Sequence, residues 1–362
     1  MERWQSIYEN QVQFNLSESG VHPLSVRELL ELSGTSTFDE TLLGYGQSNG
    51  SEVLREHIAH LYPNCNSDQV VVSNGSAEAN FIALWQLAPA GEEIVIVVPT
   101  YMQTHGLASN FGIAVREVWL REENGWQLDP AELKAAVSPR TRVIVVTNPS
   151  NPTGAVMNAE TRRAVIDAAS QINAWILSDE VYSGAELHAP ATRSFFGEYP
   201  RVVATGSLSK AYGLPGVRIG WAVAPRELAS DLWARKDYMT ISPGELTDRI
   251  ATVALSPEVR PRILERTRQR LHAGWNITRR WLDDVGIFTY RAPDAGAICY
   301  PRYDLDMESA DLAELLRAEY SVLIVSGAHF GMGKFMRIGF GPPARQLQSA
   351  LDRVSTALRR LQ

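Results

Sequence analysis

The chain has 362 residues, 45% hydrophobic and 21% charged, which is an ordinary globular composition and long enough for two domains. A net charge of −7 with no block of Lys or Arg excludes nucleic acid and anionic membrane as expected partners. Two cysteines, Cys65 and Cys299, are too few for a disulfide framework and read as reduced thiols. The N-terminus, Met1-Glu2-Arg3-Trp4-Gln5, shows no secretory leader and no stretch has membrane-spanning length, so a cytoplasmic location is expected. No repeat and no cluster with metal-ligand spacing is visible, so no metal is expected.

Residues 1–40 are mixed. Asn15 to Gly20 reads as a short extended piece ending in a turn, and Val26 to Leu32 has helical apolar spacing. Tyr45 to Asn49 is a Gly-containing loop. Ser51-x-x-Leu54-Arg55-x-x-Ile58-Ala59-x-Leu61 predicts an amphipathic helix with Ser51 as N-cap. From residue 70 strands and helices alternate. Val70–Val72 precedes Gly75-Ser76-Ala77, which opens a helix running through Trp85. Ile94–Val98, Val143–Val146, Trp175–Leu177, Val202–Ala204 and Val217–Val223 read as further strands, with helical patterns between most of them. This predicts an α/β fold with a mainly parallel mixed sheet covered by helices. Gly75, Tyr101, Asn151, Asp179 and Lys210 all fall just after strand-like runs, and ligands of such sheets bind at the carboxyl ends of strands. Glu227 to Tyr238 continues helical, Ser242-Pro243-Gly244 breaks the pattern, and a long helix is predicted from Glu258 to Val285. Phe288–Tyr290, Ile298–Pro301, Val322–Val325 and Met336–Phe340 read as strands of a smaller α+β unit, closed by a helix from Leu347 to Leu361.

The chemistry concentrates at Gly206-Ser207-Leu208-Ser209-Lys210, followed by Arg218. A phosphate needs donors and positive charge beside backbone that can approach it closely. An aldehyde needs a lysine amine able to form a Schiff base. One segment offers both, which suits pyridoxal phosphate. Asn148-Pro149-Ser150-Asn151-Pro152-Thr153-Gly154 and Asp179-Glu180-Val181-Tyr182 each follow a strand-like run. Taken singly these motifs are ordinary: Asn-Pro-Thr-Gly is a turn, a strand-end Asp a cap, a strand-end Tyr packing.

Together they make the chain resemble, over nearly its whole length, the class I/II aminotransferase family of fold-type I pyridoxal-phosphate enzymes. The resemblance implies a large cofactor domain at 41–240 and a discontinuous small domain from 1–40 and 241–362. It implies that Lys210 holds the cofactor as a Schiff base and moves the substrate Cα proton. Asp179 would face the pyridine nitrogen, and Tyr182 and Asn151 would reach the ring's 3-oxygen. Tyr101 would stack on the ring. Gly75, Ser76 and Ala77 at a helix start, with Ser207, Ser209 and Arg218, would hold the phosphate. Tyr45 matches a tyrosine that reaches the neighbouring subunit's phosphate, implying a homodimer with composite active sites. Arg337, with Asn151 and Gly20, would bind substrate, the arginine forking the α-carboxylate; by itself an arginine on an alternating strand reads equally as an exposed edge charge.

Amino-acid and 2-oxo-acid substrates follow from the family. Ser19-Gly20-Val21-His22, Leu208-Ser209-Lys210-Ala211-Tyr212-Gly213-Leu214-Pro215-Gly216, Asp237-Tyr238-Met239-Thr240 and Met336-Arg337-Ile338-Gly339-Phe340 also resemble the capreomycidine synthase-like branch, which cyclises a hydroxylated arginine by elimination and internal addition. The ordinary form of the Asn151 and Asp179–Tyr182 motifs favours the aminotransferase expectation over this cyclase alternative. Glu18 and Glu245 suit either a cationic substrate or plain solvation, and His22 and His329 read as structural.

Overall fold

The computed structural model describes residues 1–188 and 190–361. Helix α1 (Glu2–Tyr8) and strand β1 (Phe14–Asn15) lead into α2 (Val26–Ser33) and α3 (Glu52–Ala59). Both longer helices begin where a hydroxyl satisfies a first-turn N–H. Ser25 Oγ accepts from Glu28 N at 3.1 Å while Glu28 Oε2 accepts from Ser25 N at 2.8 Å. Ser51 Oγ accepts from Leu54 N at 3.4 Å.

The alternating region follows as β2 (Val70–Ser73), α4 (Ser76–Leu87), β3 (Glu93–Val98), α5 (Gln103–Phe111), β4 (Ala114–Trp119), α6 (Pro130–Ala136), β5 (Thr141–Thr147), α7 (Ala159–Ile172), β6 (Trp175–Asp179), β7 (Val202–Ser207) and β8 (Gly220–Val223). The seven described strands form a sheet in the order β2-β8-β7-β6-β5-β3-β4. The pairs among β3 to β7 are parallel, whereas β8 runs antiparallel to both β2 and β7. The two-residue period of each strand sorts its side chains into two cores. Ile94, Ile96, Val98, Val143, Val145, Leu177, Val203 and Ala222 pack on one side with Ile82 and Leu84 of α4. Val95, Val97, Ile144, Val146, Ile176, Val202 and Ala204 face the other way, with Leu54 and Ile58 of α3 and Val165 of α7. A sheet covered on both faces leaves its strand ends as the place to bind a ligand.

Helices α8 (Arg226–Lys236), α9 (Glu245–Ala254) and α10 (Arg260–Val285) come next. The remaining elements are β9 (Phe288–Thr289), β10 (Ile298–Cys299), β11 (Arg302–Tyr303), α11 (Ser309–Tyr320), β12 (Val322–Leu323), β13 (Val325–Ser326), β14 (Met336–Gly339) and α12 (Ala344–Leu361). They form small sheets, β10-β14-β13 and β11-β9, and β1 pairs in parallel with β12, Phe14 opposite Val322. The N-terminal segment is thereby stitched to the C-terminal third.

Three elements depart from expectation. The strand expected from Val217 begins at Gly220, because Pro215–Val217 is a tight 3-10 turn ending on Arg218 at φ 52. Val322–Val325 is two strands that exchange partners, from β1 to β14. Edge strand β4 has exposed Ala114, Arg116 and Glu117, and so lacks the apolar run of its neighbours. Among the described residues, no helix is long and apolar enough to cross a membrane, and no group of His, Cys, Asp and Glu could hold a metal.

Candidate active site

The carboxyl ends of β5, β6 and β7 and the turn between β2 and α4 meet at a cavity of about 300 Å³. Its wall includes Ser76, Ala77, Tyr101, Asn151, Asp179, Tyr182, Ser209, Lys210, Arg218 and Arg337. Residues separated by up to 261 positions are thus brought to one rim.

At one part of the wall, hydrogen-bond donors and positive charge converge. The first N–H groups of α4 have no intrahelical acceptor and carry the positive end of the helix dipole. Gly75, just before that helix, holds φ 88, and a Cβ there would lie 2.3 Å from Arg218 Nη2. Only glycine lets the guanidinium lie against this turn. Arg218 is aimed by its own left-handed backbone and by Nη1 donating to Pro215 O at 2.8 Å and to Ser209 Oγ at 3.4 Å. Ser207 is buried and its Oγ accepts from Ser209 N at 3.2 Å, which shapes the cradle from behind.

In the middle stand Lys210 and Asp179. The Lys210 side chain is 27% exposed and its Nζ lies 3.9 Å from Glu18 Oε2. Asp179 is buried, and desolvation pushes its carboxyl pKa up. Opposing that shift, Asn80 Nδ2 donates to Oδ2 at 2.9 Å, Val181 N donates to Oδ1 at 3.2 Å, and the Lys210 charge adds its field. Tyr182 Oη donates to Ser19 Oγ at 2.9 Å. Tyr101 shares the wall, its phenol pKa raised mainly by burial.

A second arginine stands in the same wall. Arg337 is 2% exposed on β14. Nη1 donates to Asn151 Oδ1 at 2.8 Å and Nη2 to Ser17 O at 2.5 Å, while buried Nε has no partner in the protein. A buried guanidinium with an open N–H is costly unless a ligand completes it, and a planar carboxylate is the matching shape. Glu2, Gln5 and Ser6 of α1, with Met1 and Glu9 at its two ends, also line the wall. Gln5 Nε2 clamps the helix by donating to Ser17 O and Ser17 Oγ, both at 3.0 Å.

Four predicted residues are not in that wall: Gly75 and Ser207 reach it only through Arg218 and Ser209, and Gly20 and Tyr45 lie elsewhere. Gly20 lines an adjoining chamber of about 670 Å³ that shares Glu9, Glu18, Ser209 and Pro215 with the site. A Cβ at Gly20 would sit tightly at 3.2 Å from Ser209 O and in ordinary contact with Lys210 Cα. Tyr45 is outside the cavity and 87% exposed. Sequence reasoning missed Asn80, Ser17, Ser19 and all of α1. A seven-residue helix is too short to show periodicity, and single polar residues carry no local mark.

A phosphate cradle, a lysine and a buried carboxylate on one rim, with an arginine opposite, define an enzyme built around pyridoxal 5′-phosphate. The chain belongs to the class I and II aminotransferase family, whose model matches residues 20–354. It is 34% identical to the capreomycidine synthase of Streptomyces vinaceus, over 99% of this chain and 93% of that protein. A PLP-dependent aminotransferase from Streptococcus suis superposes with a TM-score of 0.94 at 32% identity, covering 100% of this chain and 97% of that one. The PLP-dependent cyclase OrfR superposes with a TM-score of 0.90 at 25% identity, covering 99% and 96%.

Proposed function

We propose that the protein transfers the amino group of an L-amino acid to a 2-oxo acid. The observation that carries this is a single cavity wall that holds Lys210, the buried Asp179 carboxyl and buried Arg337 with its open N–H. Pyridoxal phosphate, when bound, supplies an aldehyde for the substrate amine and a ring that accepts electrons. The residues here do the rest. The Gly75–Ala77 turn, Ser209 and Arg218 take the phosphate. Asp179, whose carboxyl accepts from Asn80 Nδ2 and Val181 N, would face the ring nitrogen. Arg337 takes the α-carboxylate and so aims the Cα–H bond. Lys210 Nζ would take the Cα proton of the bound substrate, and α1 would cover that part of the cavity. Tyr182 and Asn151 steady the ring's 3-oxygen.

The protein acts as a homodimer in this reading. Tyr45 serves the phosphate of a second copy, which accounts for an 87%-exposed tyrosine beside Leu42 and Leu43, 84% and 83% exposed. A second reading is favoured by the 34% identity to a capreomycidine synthase and the likeness to OrfR: cyclisation of a hydroxylated arginine, with the same lysine moving the Cα proton and a side-chain group leaving. The two differ in what happens without an acceptor. A transaminase converts its bound cofactor once to the amine form when given a donor, and a keto acid restores it. A cyclase consumes hydroxyarginine catalytically with no keto acid. Catalytic turnover without acceptor, and no amine form with any donor, overturns the first reading in favour of the second.

A further inference from the structure

Lys236, the last residue of α8, is fully buried outside the cavity. Its Nζ donates to two backbone carbonyls, Ser48 O at 2.8 Å and Ile241 O at 2.9 Å. A buried ammonium costs free energy that geometry must offset, and burial lowers its pKa while Glu78 opposes that. The two carbonyls belong to separate segments that share a surface. One segment carries Leu42, Leu43 and Tyr45; the other carries Tyr238, 89% exposed, and Ile241, 50% exposed. Tyr45 itself bridges Gly244.

Two features show that these segments are held in a demanding shape. Ile241 has φ 65, a left-handed backbone that a β-branched residue avoids unless its surroundings impose it. Ser48 is gripped a second time, with Trp233 Nε1 donating to its Oγ at 2.7 Å. Both grips come from α8, one turn apart, and both end on the loop that presents Tyr45. Thr240 Oγ1 donates to Glu78 Oε1 at 2.6 Å and accepts from Asn74 Nδ2 at 2.8 Å, fastening the second segment to α4.

We propose that Lys236 is a positioning residue for the neighbouring subunit's cofactor site, locking the Tyr45 loop to the 238–241 turn so that the tyrosine is delivered in trans. This rests on the composite-site reading above. Lysine suits the task because one ammonium on a long stem reaches both carbonyls from beneath. Methionine would fill the volume yet leave both carbonyls without their charged donor.

The test uses mixed dimers with a single intact Lys210, reading cofactor affinity from the absorbance of the lysine-bound cofactor. In one arrangement Lys236→Met is carried by the Lys210→Ala chain, so the surviving site receives the altered arm. In the other it is carried by the chain that keeps Lys210. We expect affinity to fall about tenfold in the first and to stay within about twofold of the control in the second. Equal loss in both, or a larger loss in the second, overturns the proposal. Trp233→Phe removes the indole N–H together with part of the ring and should show the same asymmetry at smaller size; it decides the matter if Lys236→Met does not fold. Tyr45→Phe in both arrangements separates the premises. If Tyr45→Phe has no effect in trans, the composite-site reading fails. An effect of Tyr45→Phe in trans without one for Lys236→Met refutes this inference alone.

Discussion

Arg337→Lys separates charge from shape at the carboxylate end of the cavity. The wild-type guanidinium spends Nη1 on Asn151 Oδ1 and Nη2 on Ser17 O, and keeps a buried Nε–H unpartnered. A lysine keeps the positive charge, but its single nitrogen cannot satisfy Asn151 and Ser17 and also meet a carboxylate in two places. At least one charge-assisted bond to substrate is lost, about 1.5–3 kcal/mol, or roughly 10- to 150-fold in kcat/KM. Arg337 bonds to Asn151 and Ser17, and Arg218 to Ser209 and Pro215, so the Gly75 and Arg218 cradle does not depend on it and cofactor affinity should be nearly unchanged. The assay compares kcat/KM for a reactive amino acid with that for the corresponding amine lacking the carboxylate, with cofactor titration as control. The amine should lose little. Equal losses for acid and amine would refute the assignment and leave Arg337 as a fold-holding residue between Asn151 and Ser17.

Lys210→Ala should abolish turnover while the Ser76, Ala77, Ser209 and Arg218 cradle still retains cofactor; borohydride that still fixes cofactor to the variant would exclude Lys210 as the attachment point. Gly75→Ala combines a strained φ with a Cβ 2.3 Å from Arg218 Nη2, so cofactor affinity should fall by roughly tenfold or more, measured by equilibrium titration; unchanged affinity refutes the cradle geometry. Glu180 has its carboxyl pushed up to about 7 by burial, from an ordinary 4.5. The folded chain therefore keeps a proton that the unfolded chain releases, and stability from this group falls as pH rises from about 4.5 to 7, by about 3 kcal/mol in all. Glu180 Oε1 accepts from Ser178 Oγ, Ser194 Oγ and Phe195 N, and a glutamine oxygen can accept the same three. Glu180→Gln should thus flatten that slope and be the more stable form at pH 8. Urea midpoints at pH 5 and pH 8 that shift in parallel for both proteins would refute this.

The rim of the site was legible because its residues are attached to legible strands. A β-branched run predicts a strand, parallel pairing aligns the strand ends, and Asn151, Asp179 and Lys210 therefore share an edge without any long-range knowledge. What adjusts that rim was not legible, because it comes from partners that sequence spacing cannot join. Ser19 meets Tyr182 across 163 positions, and Ser17 meets Arg337 across 320. Lys236 reads as an ordinary basic residue at a helix end, and only the fold buries it. Asn80 shows why such partners matter. In sequence it is one polar residue inside a helix, which is commonly a solvated position. In the fold, Thr205 Oγ1 donates to its Oδ1 at 2.8 Å, across 125 positions. With the carbonyl side committed to Thr205, the amide must turn its N–H toward Asp179, where it donates at 2.9 Å. That orientation favours the ionised carboxylate and works against the burial that would neutralise it. A threonine on β7 thus acts on Asp179 through an asparagine on α4, a relation that no local pattern records.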